Sequence, residues 1–223
     1  IKMKQNKCPI CGCLLDESND LRCLRFPICI YQQVTDKTLG NYIMYDLETT
    51  GLTNKDHIIE IGAIYVEDNT IVDSFSALCN PGIFITQRIV EITGITNKML
   101  SDKPPEYDVV KQFVEWCNSK ETSLAVGQNI NSFDNRMLKV ATKRFKLNFP
   151  FERSLDTLKM AINMKLKEKG LVASNQQSDL GKLYGIEYVA HRAINDVEAL
   201  YQIFEHLKKD YNGDLPILNI DKK

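Results

Sequence analysis

Tyr42-Ile43-Met44-Tyr45-Asp46-Leu47-Glu48-Thr49-Thr50-Gly51-Leu52 is the stretch on which the reading of this chain turns. Four apolar or aromatic residues run directly into an acid, the pattern of a buried strand that ends at a polar site. Asp46 and Glu48 are two residues apart, so the period of a strand puts both carboxylates on one face. Thr49-Thr50-Gly51 then lets the chain turn away and leaves hydroxyls and backbone amides beside the acids.

Two later segments carry the same kind of chemistry. Asp134 closes Asn129-Ile130-Asn131-Ser132-Phe133-Asp134 near the start of a helix, where a first-turn acid also favours the helix dipole. His191 and Asp196 bracket His191-Arg192-Ala193-Ile194-Asn195-Asp196. With a helix beginning near Ala193, Asp196 falls in its first turn and His191 projects from the loop before it. Carboxylates gathered at one point repel one another unless cations compensate them. Their oxygens suit Mg²⁺ or Mn²⁺. Two such ions can clamp the attacking and leaving oxygens of a phosphodiester, and a neutral histidine can accept the proton of the attacking water.

Around these segments the hydrophobic pattern alternates between short strands and helices. Ile58 to Val66 and Thr70 to Cys79 read as strands joined by a tight turn at Glu67-Asp68-Asn69, which makes the start of the sheet antiparallel. Asp108 to Asn118, Ser132 to Phe145, Leu155 to Met164, Ser178 to Tyr184 and Ala193 to Leu207 have helical spacing, and Leu124 to Gly127 is a further buried strand. Cys79 and Cys117 sit in apolar surroundings as core thiols. The expected architecture is α/β, a mixed sheet with helices packed on it. A polar tail, 209–223, is expected to fray.

Residues 1–37 read as a separate module. Five of the seven cysteines lie there, and the segment has too few large apolar residues for a core of its own. Cys8-Pro9-Ile10-Cys11-Gly12 has the form of a zinc knuckle, and Cys23 and Cys29 complete a four-thiolate set around one structural Zn²⁺. The spacing between Cys23 and Cys29 is wider than usual, and Cys13 competes as a ligand.

Composition excludes little. The formal net charge is −1, so no global positive field marks a nucleic-acid binder, although a channel can still be locally basic. The Lys/Arg-rich run from Lys139 to Lys169 reads either as a solvated face or as a surface for phosphates. No apolar run is long enough for a membrane helix, and the amino terminus lacks the apolar segment of a signal peptide, so a soluble, cytoplasmic protein without membrane contact is expected.

The three acidic segments, in this order, resemble the motifs of the DEDDh group of the DnaQ-like 3′–5′ exonuclease superfamily. The likeness extends over 41–208 and is similar to the exonuclease domain of the DNA polymerase III epsilon type. Ile59-Glu60-Ile61-Gly62-Ala63 also resembles that family's second strand. The resemblance implies an RNase-H-like fold with a five-stranded mixed sheet. It implies that Asp46, Glu48, Asp134 and Asp196 hold two Mg²⁺ or Mn²⁺ ions, with His191 as general base. Thr49 and Leu52 would contact the terminal nucleotide, joined by Asn129 and Phe133 from the second motif. The expected substrate is single-stranded or 3′-overhanging nucleic acid, more readily DNA, cleaved to nucleoside 5′-monophosphates. A polymerase or another replication or repair protein is the expected partner.

Three positions depart from the pattern. Gln128 and Thr93 stand where members often carry histidine, and Asn195 replaces a frequent aspartate. None removes a proposed ligand. Competing readings are a 3′–5′ exoribonuclease on the same scaffold, a proofreading subunit that depends on a polymerase, and an inactive zinc-dependent module that binds nucleic acid or a protein partner.

Overall fold

The computed structural model describes residues 39–188 and 192–220, with the backbone of two short strands nearer the amino terminus, β1 (Leu15–Asp16) and β2 (Arg22–Cys23). The chain divides into two units, Ile1–Lys37 and Thr38–Lys223. In the first, β1 and β2 pair antiparallel, Leu15 opposite Cys23. The side chains of Cys8, Cys11, Cys23 and Cys29, expected to hold zinc, lie outside the described residues.

The second unit is built on a mixed sheet. Its strands are β3 (Tyr42–Thr49), β4 (Ile58–Glu67), β5 (Thr70–Leu78), β6 (Leu124–Gly127), β7 (Arg153–Asp156) and β8 (Ile217–Asn219), in the order β5-β4-β3-β6-β7-β8. β3, β4 and β5 are antiparallel, and the short turn at 67–69 requires this of β4 and β5. Asp68 and Asn69 both take positive φ, 48° and 59°, the twist that a two-residue hairpin needs. β6 and β7 run parallel to β3, and β8 returns antiparallel to β7. The helices are α1 (Gln87–Thr93), α2 (Asn97–Leu100), α3 (Glu106–Asn118), α4 (Asp134–Phe145), α5 (Thr157–Asn163), α6 (Gln177–Tyr184) and α7 (Ala193–Asp210).

Two expectations need correction. The sheet has six strands, because Ile217–Asn219 pairs with the outer edge of β7 where a fraying tail was expected. That edge offers unpaired backbone groups, and pairing satisfies them. Leu155 and Asp156 belong to β7, so the helix expected from Leu155 begins only at Thr157. Asp156 ends the strand and caps that helix, accepting the Leu158 N–H at 3.0 Å.

Alternation along β3 sorts the core into two layers. Ile43, Tyr45 and Leu47 pack with Val109, Val110 and Phe113 of α3 and Met137, Leu138 and Ala141 of α4. Tyr42 and Met44 face the other way, onto Val197, Leu200, Phe204 and Leu207 of α7 and Leu180 of α6. Asp46 and Glu48 continue the Tyr42–Met44 side by the same period, and so point toward the layer that contains α7.

α7 is fixed at both ends. At its start, a Cβ on Gly62 would lie 2.3 Å from the Ala193 carbonyl carbon and the Ile194 nitrogen, so only glycine lets the helix come this close to β4. From its middle the Tyr201 hydroxyl donates to the Asn69 carbonyl at 2.7 Å, and from its last turn Lys208 Nζ donates to Asn69 Oδ1 at 2.9 Å. Gly62 lies directly opposite Asp46 in the β3–β4 register. Gly62→Ala should therefore displace the start of α7 and cost about 1–3 kcal/mol, the usual scale for overpacking. Urea unfolding of the full chain checks this; unchanged stability would contradict the close approach.

Candidate active site

Asp46, Glu48 and Asp196 meet at the end of β3 under the first turn of α7. One carboxylate oxygen from each lies within 4.8 Å of the others, the arrangement of a divalent-cation site. The strand period aligns Asp46 with Glu48, and the pinned helix start delivers Asp196. The Asp196 carboxylate accepts the Arg192 N–H at 3.1 Å, and its backbone carbonyl accepts Gln177 Nε2 at 2.8 Å.

Glu60 is the acid that positions this junction. It lies opposite Glu48 in the register and is 1% exposed. Its carboxylate accepts the Arg192 guanidinium at 2.8 Å and the Ala193 N–H at 3.0 Å. The ion pair holds the residue that opens α7, and the amide bond satisfies one of the helix's unpaired donors. The sequence did contain a signal for it: an acid inside the wholly apolar run Ile58–Ala63, two residues before a mid-strand glycine.

Asp134 sits differently. β6 pairs with β3 only at Ile43 and Met44, which leaves the Leu47 amide without a strand partner on that side. The buried Asp134 carboxylate accepts that amide at 3.0 Å. Asp134 is not one of the three acids whose oxygens converge, although its charge is felt at Asp46. The turn that carries it is held by several bonds. Asp156 accepts the Asn129 and Asn131 amides at 2.9 and 3.3 Å, and the Tyr45 hydroxyl donates to Asn135 Oδ1 at 2.8 Å. Asn129 adopts φ 55°, a left-handed conformation that asparagine tolerates.

The expected nucleotide contacts lie on two loops. Thr49 is buried and its hydroxyl donates to the Gly51 carbonyl at 2.6 Å. Leu52 projects at the tip of the β3–β4 loop, 75% exposed. Phe133 is half-buried at the start of α4. His191 lies outside the described residues. Two of the three departures from the motif pattern make local hydrogen bonds. Gln128 Nε2 donates to the Asn175 carbonyl at 2.8 Å, and the Thr93 hydroxyl donates to the Ile89 carbonyl at 2.9 Å.

Beneath the β3–β4 loop is a second charged cluster. Glu106, 5% exposed, meets His57 Nδ1 at 2.6 Å, Arg144 Nη1 at 3.1 Å and the Ile58 N–H at 3.0 Å. Arg144, one of the Lys/Arg-rich run, is therefore engaged internally rather than forming part of a solvated face.

Burial and mutual repulsion dominate the electrostatics of the carboxylate site. Removal from water pushes the Asp46 carboxyl well above its ordinary range, and the charges of Asp134, Glu48 and Asp196 add to it. The same desolvation raises Glu48 to about 8, with Asp196 and Glu60 adding and Arg192 opposing. Asp134 is likewise pushed up to about 8 by burial, against its bond from Leu47. Clustered oxygens that resist ionisation are a donor set suited to hard divalent cations, which make the ionised form favourable.

The exonuclease family matches residues 43–204, so the chain belongs to that family. Among curated relatives, a DNA polymerase III of the PolC type from Staphylococcus haemolyticus is 35% identical over 176 residues, 76% of this chain and 12% of that polymerase. Its Staphylococcus aureus counterpart is 34% identical over 191 residues, 82% of this chain and 12% of the polymerase. The chain thus spans about an eighth of the length of these relatives. Escherichia coli exonuclease I in complex with a dT13 oligonucleotide shares the fold, with a TM-score of 0.67 at 21% identity over 77% of this chain and 41% of the other. Its zinc-bound complex with single-stranded DNA gives 0.66 at 22%, over 76% and 40%. Among the described residues no helix is long and apolar enough to cross a membrane.

The raised carboxyls have a consequence for stability. Between the ordinary carboxyl range and about pH 8, the folded, metal-free chain binds more protons than the unfolded one, so stability falls as pH rises through that window. In EDTA the melting temperature should drop from pH 5.5 to pH 8. Mn²⁺ should restore it at pH 8, and Asp46→Asn should flatten the dependence. A pH-independent melting curve in EDTA would contradict the crowding of these charges.

Proposed function

We propose that this chain is a metal-dependent exonuclease that hydrolyses phosphodiester bonds at the 3′ ends of DNA and releases nucleoside 5′-monophosphates. The observation that carries the reading is the convergence of Asp46, Glu48 and Asp196 within one cation-sized site, on a fold and in a family of exonucleases. The preference for DNA is supported by likeness to PolC-type DNA polymerases and by the oligonucleotide-bound structural neighbour, and the 3′ polarity is what the motif resemblance implies.

In this reading Asp46, Glu48 and Asp196 would hold two Mg²⁺ or Mn²⁺ ions, and Asp134 would help hold the second. When bound, such ions neutralise the carboxylates and stabilise charge on the attacking and leaving oxygens. His191, next to Arg192 in the chain, takes the proton from the attacking water and must be neutral to do so. Glu60 and Arg192 keep the start of α7, and with it Asp196, against the end of β3. Thr49 and Leu52 meet the terminal nucleotide from one side; Asn129 and Phe133 meet it from the other. Residues 1–37 form a zinc module on Cys8, Cys11, Cys23 and Cys29, separate from the exonuclease domain 41–208 and the segment 209–223. Single-stranded or 3′-overhanging DNA is the substrate, and a polymerase or repair protein is the partner in the cell, in the cytoplasm.

A panel of end-labelled DNA and RNA oligonucleotides, digested with Mg²⁺, Mn²⁺ or EDTA, tests this. Metal-dependent shortening from the 3′ end with mononucleotide product is expected; RNA as the better substrate would move the reading to an exoribonuclease. His191→Ala should lower turnover by roughly 10²- to 10⁴-fold, the scale of general-base loss, with Mn²⁺ still bound. Asp46→Ala should abolish both turnover and Mn²⁺ binding. Full activity in either variant would remove that residue from the mechanism.

A further inference from the structure

The two loops that carry the proposed nucleotide contacts are joined by a side chain with no part in the carboxylate site. Arg136 stands in the first turns of α4, two residues beyond Asp134. Its Nη2 donates to the Leu52 carbonyl at 3.0 Å and its Nη1 to Asn54 Oδ1 at 2.8 Å. Its Nε donates to the Ser132 carbonyl at 3.0 Å, and the guanidinium carbon lies 6.0 Å from the centre of the Phe133 ring. All three guanidinium nitrogens are thus engaged. They connect the tip of the β3–β4 loop, which presents Leu52, to the turn that presents Phe133.

The rest of the β3–β4 loop is already restrained near its base. The Thr50 amide donates to the His57 carbonyl at 2.8 Å, and Asp56 accepts the Thr53 amide at 2.7 Å. Arg144 Nη2 donates to the Asp56 carbonyl at 2.8 Å, from the other end of α4. Among the described side chains, the bonds that reach Leu52 and Asn54 come from Arg136. The planar fork suits this task because it makes several bonds at fixed mutual angles, which a lysine ammonium cannot reproduce. Leu52 itself is 75% exposed and, among the described residues, belongs to none of the core clusters.

We propose that Arg136 is a positioning residue for the exonuclease reaction. It sets the spacing between Leu52 and Phe133, and so the width of the opening that admits the 3′-terminal nucleotide. This rests on the proposed exonuclease activity. With Arg136 in place, a single unpaired nucleotide enters between two held apolar side chains. Without it, the loop tip moves while the metal ligands stay where β3 and α7 put them. The effect should fall on substrate capture more than on the chemical step.

The test compares Arg136→Ala, Arg136→Lys and Asn54→Ala in the full chain, each checked for a wild-type thermal melt. On a single-stranded DNA oligonucleotide with Mn²⁺, Arg136→Ala should raise KM about tenfold, the order expected for a misplaced substrate contact, with a smaller change in kcat. Arg136→Lys should behave like Arg136→Ala, and Asn54→Ala should show part of the KM effect. A wild-type KM in Arg136→Ala overturns the proposal. So does full rescue by lysine, because that would make Arg136 a simple charge for phosphate. Tryptic cleavage after the exposed Lys55 gives a readout independent of catalysis. It should be markedly faster in Arg136→Ala, because local opening of the loop controls it. Unchanged cleavage overturns the proposal even if the wild-type chain proves inactive, whereas wild-type inactivity with faster cleavage overturns the exonuclease reading and the reaction role of Arg136 with it.

Discussion

The close approach of α7 to β4 at Gly62 is the constraint on which the site depends. Three carboxylates converge only because a helix start is pressed onto a strand at the position opposite Asp46. Any side chain at that position would hold the helix off the sheet, and Asp196 would leave the reach of Asp46 and Glu48. The hydrophobic contacts of Val197, Leu200 and Phe204 supply most of the attraction between α7 and the sheet. Those contacts are non-directional, however, and a helix could slide along them. Glycine at one end and the bonds to Asn69 at the other fix where along β4 the helix comes to rest.

That arrangement sets up opposing electrostatic demands within a few residues. Glu60 and Glu48 are register partners, yet they have different surroundings. Glu60 is buried with a guanidinium and a backbone amide, and its charge is answered within the protein. Glu48 shares its site with Asp46 and Asp196, and Arg192 only partly offsets them. Folding therefore assembles a region where negative charge is unfavourable unless a cation enters from solvent. A divalent ion that entered such a site would relieve the repulsion that folding imposes on these carboxylates.

The parts that were legible in the sequence share a strong local signal. β3, β4 and β5 were readable because long apolar runs were separated by unambiguous turn residues, and α7 because five apolar residues repeated at helical spacing. The pairing of Asp46 with Glu48 followed from strand geometry alone. β7 was hidden because it has only four residues, Arg153–Asp156, and runs without a break into α5; its apolar Leu155 fitted a helix equally well. β8 was hidden because three exposed residues carry no burial pattern, and only the free edge of β7 gives them a partner. Glu60, Gly62 and Arg136 act through contacts made across the fold, between residues 82 to 133 positions apart. Nothing in the local sequence states such contacts, although an acid and a glycine inside an apolar strand are the trace they leave.

Asp134 illustrates how a strand ending can define a functional position. β6 is short, so β3 extends past its last partner on that side and exposes the Leu47 amide. An unpaired buried amide is costly, and something must accept it. The first residue of α4 does so, and this binds the start of that helix to the middle of the acidic strand. Asp134 therefore has two separable effects, one on the strand through its hydrogen bond and one on the neighbouring acid through its charge. Asparagine could still accept the Leu47 amide and preserve the strand, but it would remove the charge that Asp46 feels. In the proposed reading the acid serves the cation site, while its position is dictated by the backbone of the sheet. That division of roles explains why Asp134 lies beside the three converging carboxylates and not among them: its place is set by a hydrogen bond to β3 and theirs by a helix resting on glycine.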